Sequence, residues 1–445
     1  MEEIVETDHH YLVTIKEMEE KIKETPKLLN QTAGKESCCI FRVPQHLVQI
    51  NEKAYHPRIV SIGPYHHGKP DLSKIEELKW TYLGELLART PQNGLKLDGY
   101  FELIAPMENK IRDCYSEYIP FNGSDLIKMM VLDGLFIIEL LSKWTRLAPR
   151  APGDPIFNMA WIGTFIDRDL LRLENQIPFF VLQTLFENTR VLRSGGDDLS
   201  LRLLFVSFFN YLMPRPVEVL KRIGNVEGKH LLDLFRLSFI RPSHPQHPRN
   251  KDVQLIPSVE KLNAAGIKFK ATKCDTFLDI IFHNGVLKIP KIKIDDATTL
   301  LFLNCVAFEQ CYGYCSNHMT AYTTFMSLLI KNPSDVGFLC DKEVMENYFG
   351  TEKEVVQFFD NMGKEVVCSF GNNYLSKVAE DVNQYRRESW HVQWAGFKHT
   401  YFNTPWTFIS ALAAFILLLL TMIQAFFAVY PYAGGKSIGR MVENI

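Results

Sequence analysis

The feature that most constrains this sequence is an uncharged apolar stretch near its C-terminus, at residues 406–430. It contains TFISALAAFILLLLTMIQAFFAV, with only scattered Ser, Thr and Gln. As a helix it would extend about 34 Å, and the hydrocarbon core of a bilayer is about 30 Å thick. Trp406 and Tyr430 stand at its ends, where aromatic side chains act as interfacial anchors. The stretch therefore predicts one C-terminal transmembrane helix in contact with the lipid bilayer, and a buried core helix is the less favoured alternative.

The charges on either side of this stretch predict its orientation. Arg386, Arg387 and Lys398 precede it, whereas Lys436 and Arg440 follow it. Positively charged flanks are enriched on the cytosolic side of a membrane, so the slight excess places the N-terminal side there. The N-terminus, MEEIVETDHHYLV, has no basic flank before an apolar core and is not a secretory signal. We expect a single-pass protein of the plasma membrane or an endomembrane, with its main domain in the cytosol.

Composition argues against two other classes of protein. The chain carries 49 Lys and Arg against 51 Asp and Glu, a formal net charge of -2. A protein that coats nucleic acid needs a concentrated basic surface, so we expect no nucleic-acid partner. The 9 cysteines are an odd number and are spread from Cys38 to Cys368, which favours reduced thiols over a disulfide framework.

The pattern along the chain predicts a mainly α fold of the α+β class. Apolar residues recur at helical spacing in five segments: 72–87, 126–144, 165–186 with a break before Pro178, 199–213 and 295–310. In the second half, GIKFK alternates in polarity, and two β-rich runs flank Asn284-Gly285, a dipeptide typical of hairpins. The sequence therefore predicts a large helical domain with a small antiparallel sheet or hairpin in its second half.

Shifts in composition divide the chain into six segments. They are a polar N-terminal segment with a short helix (1–36), a helical part (37–240), a linker rich in Pro and His (241–256), an α+β part (257–400), the transmembrane helix (406–430) and a short tail (431–445).

The first candidate for chemistry is the segment VSIGPYHHG, which carries Tyr65, His66 and His67. Two adjacent histidines cannot easily direct both rings at one ion, and no third ligand stands three or four residues away. Glycines on both sides mark a tight turn. We favour a loop whose rings pack on the domain or hydrogen-bond to it, over acid–base catalysis.

The second candidate is the segment DRDLLRLENQ, which carries Asp167, Asp169 and Glu174. Paired carboxylates can perform acid–base catalysis where a cleft moves their pKa values apart. Arginines are interleaved here, however, and Asp169 and Arg172 are spaced i and i+3, which favours an ion pair. Asp133 and Glu139, within a very apolar helix, must likewise be paired or lie at an exposed edge.

A metal site and a phosphate loop are weaker alternatives. Cys311, Cys315 and His318 fall on one helical face with Cys305 nearby, but zinc sites usually have a second ligand pair, and buried thiols explain the same spacing. The segment 224–230, GNVEGKH, is one residue shorter than a phosphate-binding loop and ends in His. We expect no metal, no cofactor and no catalytic residue.

Seven segments, taken in chain order, carry a resemblance to a known family. They are IFRVPQHLVQINEKAYHPRIVSIGPYHHGKPDL, MVLDGLFIIELL, DRDLLRLENQIPFFVL, HLLDLFRLSF, EKLNAAGIKFK, FHNGVLKIPKIKIDDATTLLFLNCVAFEQ and YFNTPWTFISALAAFILLLLTMIQAFF. Across residues 37–429 the chain resembles the plant family called "domain of unknown function 247", which is also catalogued as an uncharacterised protein family. The sequence departs from the family pattern at Leu303, where we expect an arginine before Asn304.

The resemblance implies a plant protein that ends in one membrane anchor, with no established enzymatic activity and no family catalytic residues. Some grass members of the family are implicated in pollen–stigma self-recognition as partners of small secreted proteins. Two hypotheses follow. The first is a non-enzymatic, membrane-anchored protein that binds another protein in recognition or signalling. The second is a membrane-tethered enzyme with an unfamiliar site near Tyr65–His67 or Asp167–Glu174.

Overall fold

The computed structural model describes residues 2–23, 29–89, 94–189, 200–222, 226–241, 255–364, 366–367, 373–387 and 405–442. Within these ranges the fold is mainly helical with two small sheets, which is consistent with the expected α+β class. The helices are α1 (Glu2–Lys23), α2 (Gln45–Val48), α3 (Ser73–Arg89), α4 (Leu97–Ile104), α5 (Glu108–Asp113), α6 (Gly123–Trp144), α7 (Pro155–Asn158), α8 (Ala160–Leu170), α9 (Phe179–Asn188), α10 (Leu201–Phe208), α11 (Val217–Arg222), α12 (Leu231–Leu237), α13 (Val259–Ala264), α14 (Asp296–Cys311), α15 (His318–Leu329), α16 (Pro333–Asp341), α17 (Glu352–Lys364), α18 (Ser376–Arg387) and α19 (Pro405–Val442).

Helix α6 is the centre of the first half, and α3, α4, α9 and α10 pack around it. Its start is fixed by Asn122, whose side chain accepts a hydrogen bond from the backbone N–H of Asp125. Nearly all of its side chains are buried, which explains why its sequence is apolar on every face. Its two buried acids are paired as expected, Asp133 with Lys79 and Glu139 with Arg89.

The strands form one three-stranded and one two-stranded sheet. They are β1 (Lys268–Thr272), β2 (Ile281–His283), β3 (Val286–Pro290), β4 (Ile292–Ile294) and β5 (Met345–Asn347). The predicted hairpin joins β2 and β3, and Asn284 and Gly285 both take positive φ as a two-residue turn requires. The expectation of a purely antiparallel sheet is wrong, because β1 pairs parallel to β3 and β4 parallel to β5. Alternation in polarity reveals a buried face but not the direction of the neighbouring strand.

The C-terminal apolar stretch lies inside one longer helix, α19. The predicted transmembrane helix at 406–430 is wrong: among the helices of the described residues, none is both long enough and apolar enough to cross a membrane. Helix α19 does not end with the apolar stretch. It continues through residues that include Lys436 and Arg440. The side chains of Trp406 and Tyr430, the expected anchors, lie outside the described part of the chain.

Buried apolar side chains between Cys38 and Val382 form one continuous core. Residues on both sides of the predicted linker contribute to it. The linker itself, 241–256, falls almost wholly on residues that the structure does not describe, so the boundary there stays a prediction. The eight described cysteines are all free thiols, as their odd number and spacing predicted.

Candidate functional site

The turn between α8 and α9, residues 171–178, brings the segments VSIGPYHHG and DRDLLRLENQ into contact. Its polar side chains project into the first half of the core and bind the segment at residues 42–66. This contact explains why the predicted helical segment 165–186 is interrupted: the chain leaves the helix at Leu170 and resumes after Pro178.

Asp169 fixes the backbone of the first segment. Its carboxylate accepts hydrogen bonds from the backbone N–H groups of Arg58 at 2.9 Å, Ile59 at 2.8 Å and Val60 at 3.1 Å. The predicted ion pair is also present, with Arg172 Nε 2.9 Å from an Asp169 oxygen. The side chain of Asp169 is fully buried, so every contact that compensates its charge comes from the protein.

Glu174 binds the same segment on either side of the residues that Asp169 contacts. Its oxygens lie 2.9 Å from the backbone nitrogen of Val43, 3.0 Å from Arg42 Nη1 and 2.9 Å from His66 Nε2. Burial acts to raise the pKa of Glu174, but the bonds from His66 and Val43 and the charge of Arg42 outweigh it and hold the pKa below its usual range. The carboxylate is therefore ionised at neutral pH and acts as a hydrogen-bond acceptor.

The two histidines occupy different environments. His66 is buried, and burial lowers its pKa against the opposing effect of Glu174, so the ring is neutral and donates from Nε2 to that carboxylate. His67 is half-buried, and its ring packs edge-on against Phe121 at 5.6 Å between centroids. The hydroxyl of Tyr65 donates to the carbonyl oxygen of Ile40. These contacts confirm the interpretation of this segment as a packed loop.

Gly63 explains the tight turn before the histidines. It has φ of +74°, and a Cβ there would lie 2.5 Å from the carbonyl oxygen of Gln176, so only glycine fits. Its N–H donates to the buried Asp133 at 2.7 Å, and Asp133 is held in turn by Lys79. Burial raises the pKa of Asp133, and Lys79 opposes this shift.

Asp167 lies apart from the other predicted carboxylates. It accepts a hydrogen bond from the hydroxyl of Tyr211 at 2.9 Å, on the outer side of α8. Burial raises the pKa of Asp167 to about 7, against the lowering effects of Tyr211 and Arg168. Since its neighbour Asp169 points into the core, the two carboxylates of the Asp-Arg-Asp sequence do not form one site.

Of the six candidate residues, Asp169, Glu174 and His66 thus belong to a buried structural network, and Asp167 lies apart from it. The carboxylates of Asp169 and Glu174 are committed to backbone N–H groups and cations, and the ring of His66 is committed to Glu174. Neither of the two cavities described here, the larger between α8, α14 and α17 and the smaller beside Cys38 and Cys311, has any of the six in its walls.

The larger cavity, of about 420 Å³, was not predicted from the sequence. Four cationic side chains lie in its walls together with two carboxylates: Lys53, Arg58, Arg168 and Arg172, with Asp296 and Glu354. Arg172 connects this cavity to the buried network, because it contacts Asp169 on one side and lines the cavity on the other.

Sequence reasoning also missed two buried polar residues that complete the network. Lys79 is fully buried on α3, one helical turn from the buried Ile75. Asn304 donates to the carbonyl oxygen of Ala54 and accepts from the N–H of Leu173, both at 2.9 Å. The available signal was a polar residue at a position that helical spacing assigns to the core.

The cysteine and histidine side chains that suggested a metal site lie in the second half of the chain. Cys305 is buried within α14, and His318 stacks on Tyr374 with ring centroids 4.8 Å apart. Among the residues whose placement is described, no three His, Cys, Asp or Glu side chains are arranged to hold a metal ion. The loop-like segment 224–230 lies partly outside those residues, and His230 within it is buried.

Fold and network together define a mainly helical α+β protein whose buried charges form a structural network. Residues 40–420 match the family DUF247, described as a plant protein of unknown function. A UPF0481 protein of Arabidopsis thaliana is 39% identical over 438 residues, which cover 92% of this chain and 90% of that protein. A putative UPF0481 protein of the same plant is 26% identical over 492 residues, which cover 88% and 90%. No solved structure matches the chain. The chain belongs to the domain of unknown function 247 family, as its resemblance predicted.

Proposed function

We propose that this chain is a non-enzymatic recognition protein that binds an acidic protein partner. The observation that carries the proposal is a group of exposed apolar and aromatic side chains near the ends of α6, α8 and α10, here called the aromatic surface. It consists of Trp144, Leu147, Met159, Trp161, Tyr211 and Val217.

Two contacts connect segments that carry these side chains. Trp144, at the end of α6, packs edge-on against Phe208 of α10 at 5.2 Å between centroids. Tyr211 follows shortly after α10, and its hydroxyl donates to Asp167 of α8. Trp161 lies on the same helix and is 49% exposed. Helices α6 and α10 pack together, and the hydrogen bond from Tyr211 connects the segment after α10 to α8.

The chemistry of the aromatic surface suits a protein partner. Trp and Tyr are enriched among the residues that dominate binding energy in protein interfaces, and exposed apolar groups of this kind mark interaction sites. Arg150 lies beside it, stacked on Phe157 and bonded to the carbonyl oxygen of Trp144, and Arg168 lies on α8. These cations favour acidic residues in the partner by charge complementarity.

The buried network supports a binding role over an enzymatic one. Glu174 and His66 would be the natural acid–base pair, yet both are enclosed in the core and bonded to each other. A general base must lie within reach of the proton that it removes. The side chains of the aromatic surface, by contrast, are accessible to a partner.

The proposal is tested with the purified full chain as bait in plant-tissue extract. We expect Trp161→Ala to reduce capture of the specific partner at least about tenfold, since an interface tryptophan contributes about 2 kcal/mol or more. The matched control is Trp80→Ala, because Trp80 on α3 is 46% exposed and lies outside the aromatic surface.

The affinities of the wild-type protein and of both variants for the isolated partner are then compared. A partner that binds Trp80→Ala like wild type, loses affinity for Trp161→Ala and dissociates at high salt supports the proposal. Equal binding by all three proteins, or no partner enriched over the extract background, contradicts it.

A further inference from the structure

We infer that the cavity between α8, α14 and α17 is a binding site for a small organic phosphate. This inference does not rest on the aromatic surface or on a protein partner. The cavity has a volume of about 420 Å³, within the range of pockets that hold small molecules.

Arg172 provides the first observation. Its side chain is fully buried, and two of its three nitrogens are satisfied: Nε lies 2.9 Å from Asp169 and Nη1 lies 2.8 Å from the carbonyl oxygen of Lys53. Its third nitrogen, Nη2, has no hydrogen-bond partner in the described part of the chain. A buried N–H donor without an acceptor is costly, and Arg172 is one of the residues that line the cavity.

Two further arginines lie in the same walls and are free to reorient towards a ligand. The guanidinium groups of Arg58 and Arg168 both lie near the ring of Phe165, at 5.4 and 6.0 Å from its centroid. Neither forms an ion pair with a carboxylate anywhere in the described ranges, and the same holds for Lys53. Arginine in this state presents a planar set of donors that matches phosphate oxygens.

The carboxylates in the walls do not cancel these cations. Glu354 Oε2 already accepts from the backbone N–H and the hydroxyl of Thr351, at the start of α17. Asp296 is exposed in the first turn of α14. With Arg172 balanced by Asp169, Lys53, Arg58 and Arg168 still exceed the two carboxylates by one charge. The cavity therefore attracts anions.

The rest of the lining indicates an organic ligand. Leu300 and Leu303 of α14 and the rings of Phe349 and Phe358 line the cavity, and they give it an apolar side next to the cationic one. The departure from the family pattern at Leu303 belongs to this apolar side. A ligand with a ring or short hydrocarbon body and a charged head fits both sides.

The number of donors favours phosphate over carboxylate as the head group. Three guanidinium groups and one ammonium group surround one cavity, and a carboxylate offers only two oxygens to them. A phosphate monoester carries three terminal oxygens and a charge of about −1.5 to −2 at pH 7. It can therefore accept hydrogen bonds from several of these donors at once.

Isothermal titration calorimetry of the full chain with phenyl phosphate tests this site. We expect saturable binding that weakens at least about tenfold in Arg58→Gln/Arg168→Gln, since charge-assisted hydrogen bonds are the strong ones. Both side chains are partly solvent-exposed, so the variant keeps the buried network. Asp296→Asn should tighten binding about two- to fivefold, because it removes a like charge from the wall.

The matched control is Arg150→Gln, an arginine stacked on a phenylalanine outside the cavity, which should bind like wild type. Benzoate and inorganic phosphate should each bind at least about tenfold more weakly, because one lacks the phosphate and the other the ring. Absence of phenyl phosphate binding at millimolar concentration, unchanged affinity in the double variant, or equal affinity for benzoate would overturn the inference.

Discussion

Asp169 accepts hydrogen bonds from the N–H groups of Arg58, Ile59 and Val60, so its charge fixes the path of an extended segment across the core. Glu174 does the same for Val43. The cost of burying such a carboxylate is offset by polar contacts with its partners. Removing one partner leaves a buried charge uncompensated. Their role in this chain is to hold together residues that are more than a hundred positions apart.

Asp169→Asn tests this role directly. The amide keeps the shape of the side chain but breaks the ion pair with Arg172 and turns an NH₂ group towards backbone donors. We expect the free energy of unfolding in urea to fall by about 3 kcal/mol or more. Asp167→Asn is the control, since that side chain is only partly buried and has one bond to Tyr211, and it should cost less than about 1 kcal/mol. An equal loss of unfolding free energy in the two variants would contradict the structural role of Asp169.

At the scale of elements, helix ends connect local structure to the long-range network. Helix α12 begins at His230, whose Nδ1 accepts from the N–H of Asp233 while Nε2 donates to the carbonyl oxygen of Cys39. The ring also packs edge-on against Phe308 of α14. One neutral side chain therefore caps a helix and ties it to the start of the core.

The capping role of His230 predicts a pH dependence. Burial lowers its pKa to about 4, against the raising effects of Asp233 and Cys39. The unfolded chain takes up this proton near pH 6.5, so the stabilisation is present above that pH and is lost as the pH falls towards 4. Between pH 7 and pH 5, wild type should lose about 2 kcal/mol more than His230→Gln in urea unfolding. If the stability of the two proteins depends on pH in the same way, protonation of His230 is not the cause.

At the scale of the whole molecule, one core includes residues from both sides of the predicted linker. Asn304, in the middle of α14, bonds to Ala54 and to Leu173 in the first half. Polar bonds buried in a shared core link the unfolding of the parts that they join. The two halves on either side of the linker are thus expected to unfold together.

We expect a single thermal transition that coincides in circular dichroism and tryptophan fluorescence. Asn304→Ala should keep that single transition but lower the free energy of unfolding by roughly 3 kcal/mol, because it leaves buried groups of Ala54 and Leu173 without partners. The exposed Asn263 of α13 provides the control, and Asn263→Ala should change stability by less than about 0.5 kcal/mol. Two separate transitions would show that the halves are independent.

Local patterns predicted much of the fold. The helical spacing at 72–87 and 126–144 became α3 and α6, and Asn284-Gly285 became the turn of the hairpin. The pairing of Asp169 with Arg172 followed from a spacing of three residues. These predictions succeeded because each depends on interactions within a few residues, which the sequence specifies directly.

Other features depended on distant parts of the chain. The apolar stretch at 406–430 indicated a membrane span by its length and composition, and that prediction was wrong, since no helix in the described part of the chain is both long and apolar enough to cross a membrane. The parallel partner of β1, the acceptors of His66 and Lys79, and the cationic cavity all bring together residues far apart in sequence. The sequence by itself determined the main helices α3 and α6, the turn of the hairpin and the need of buried charges for partners. Only the tertiary structure decided which partners they have, because a buried charge can be satisfied by any donor that the packing of the chain brings within reach.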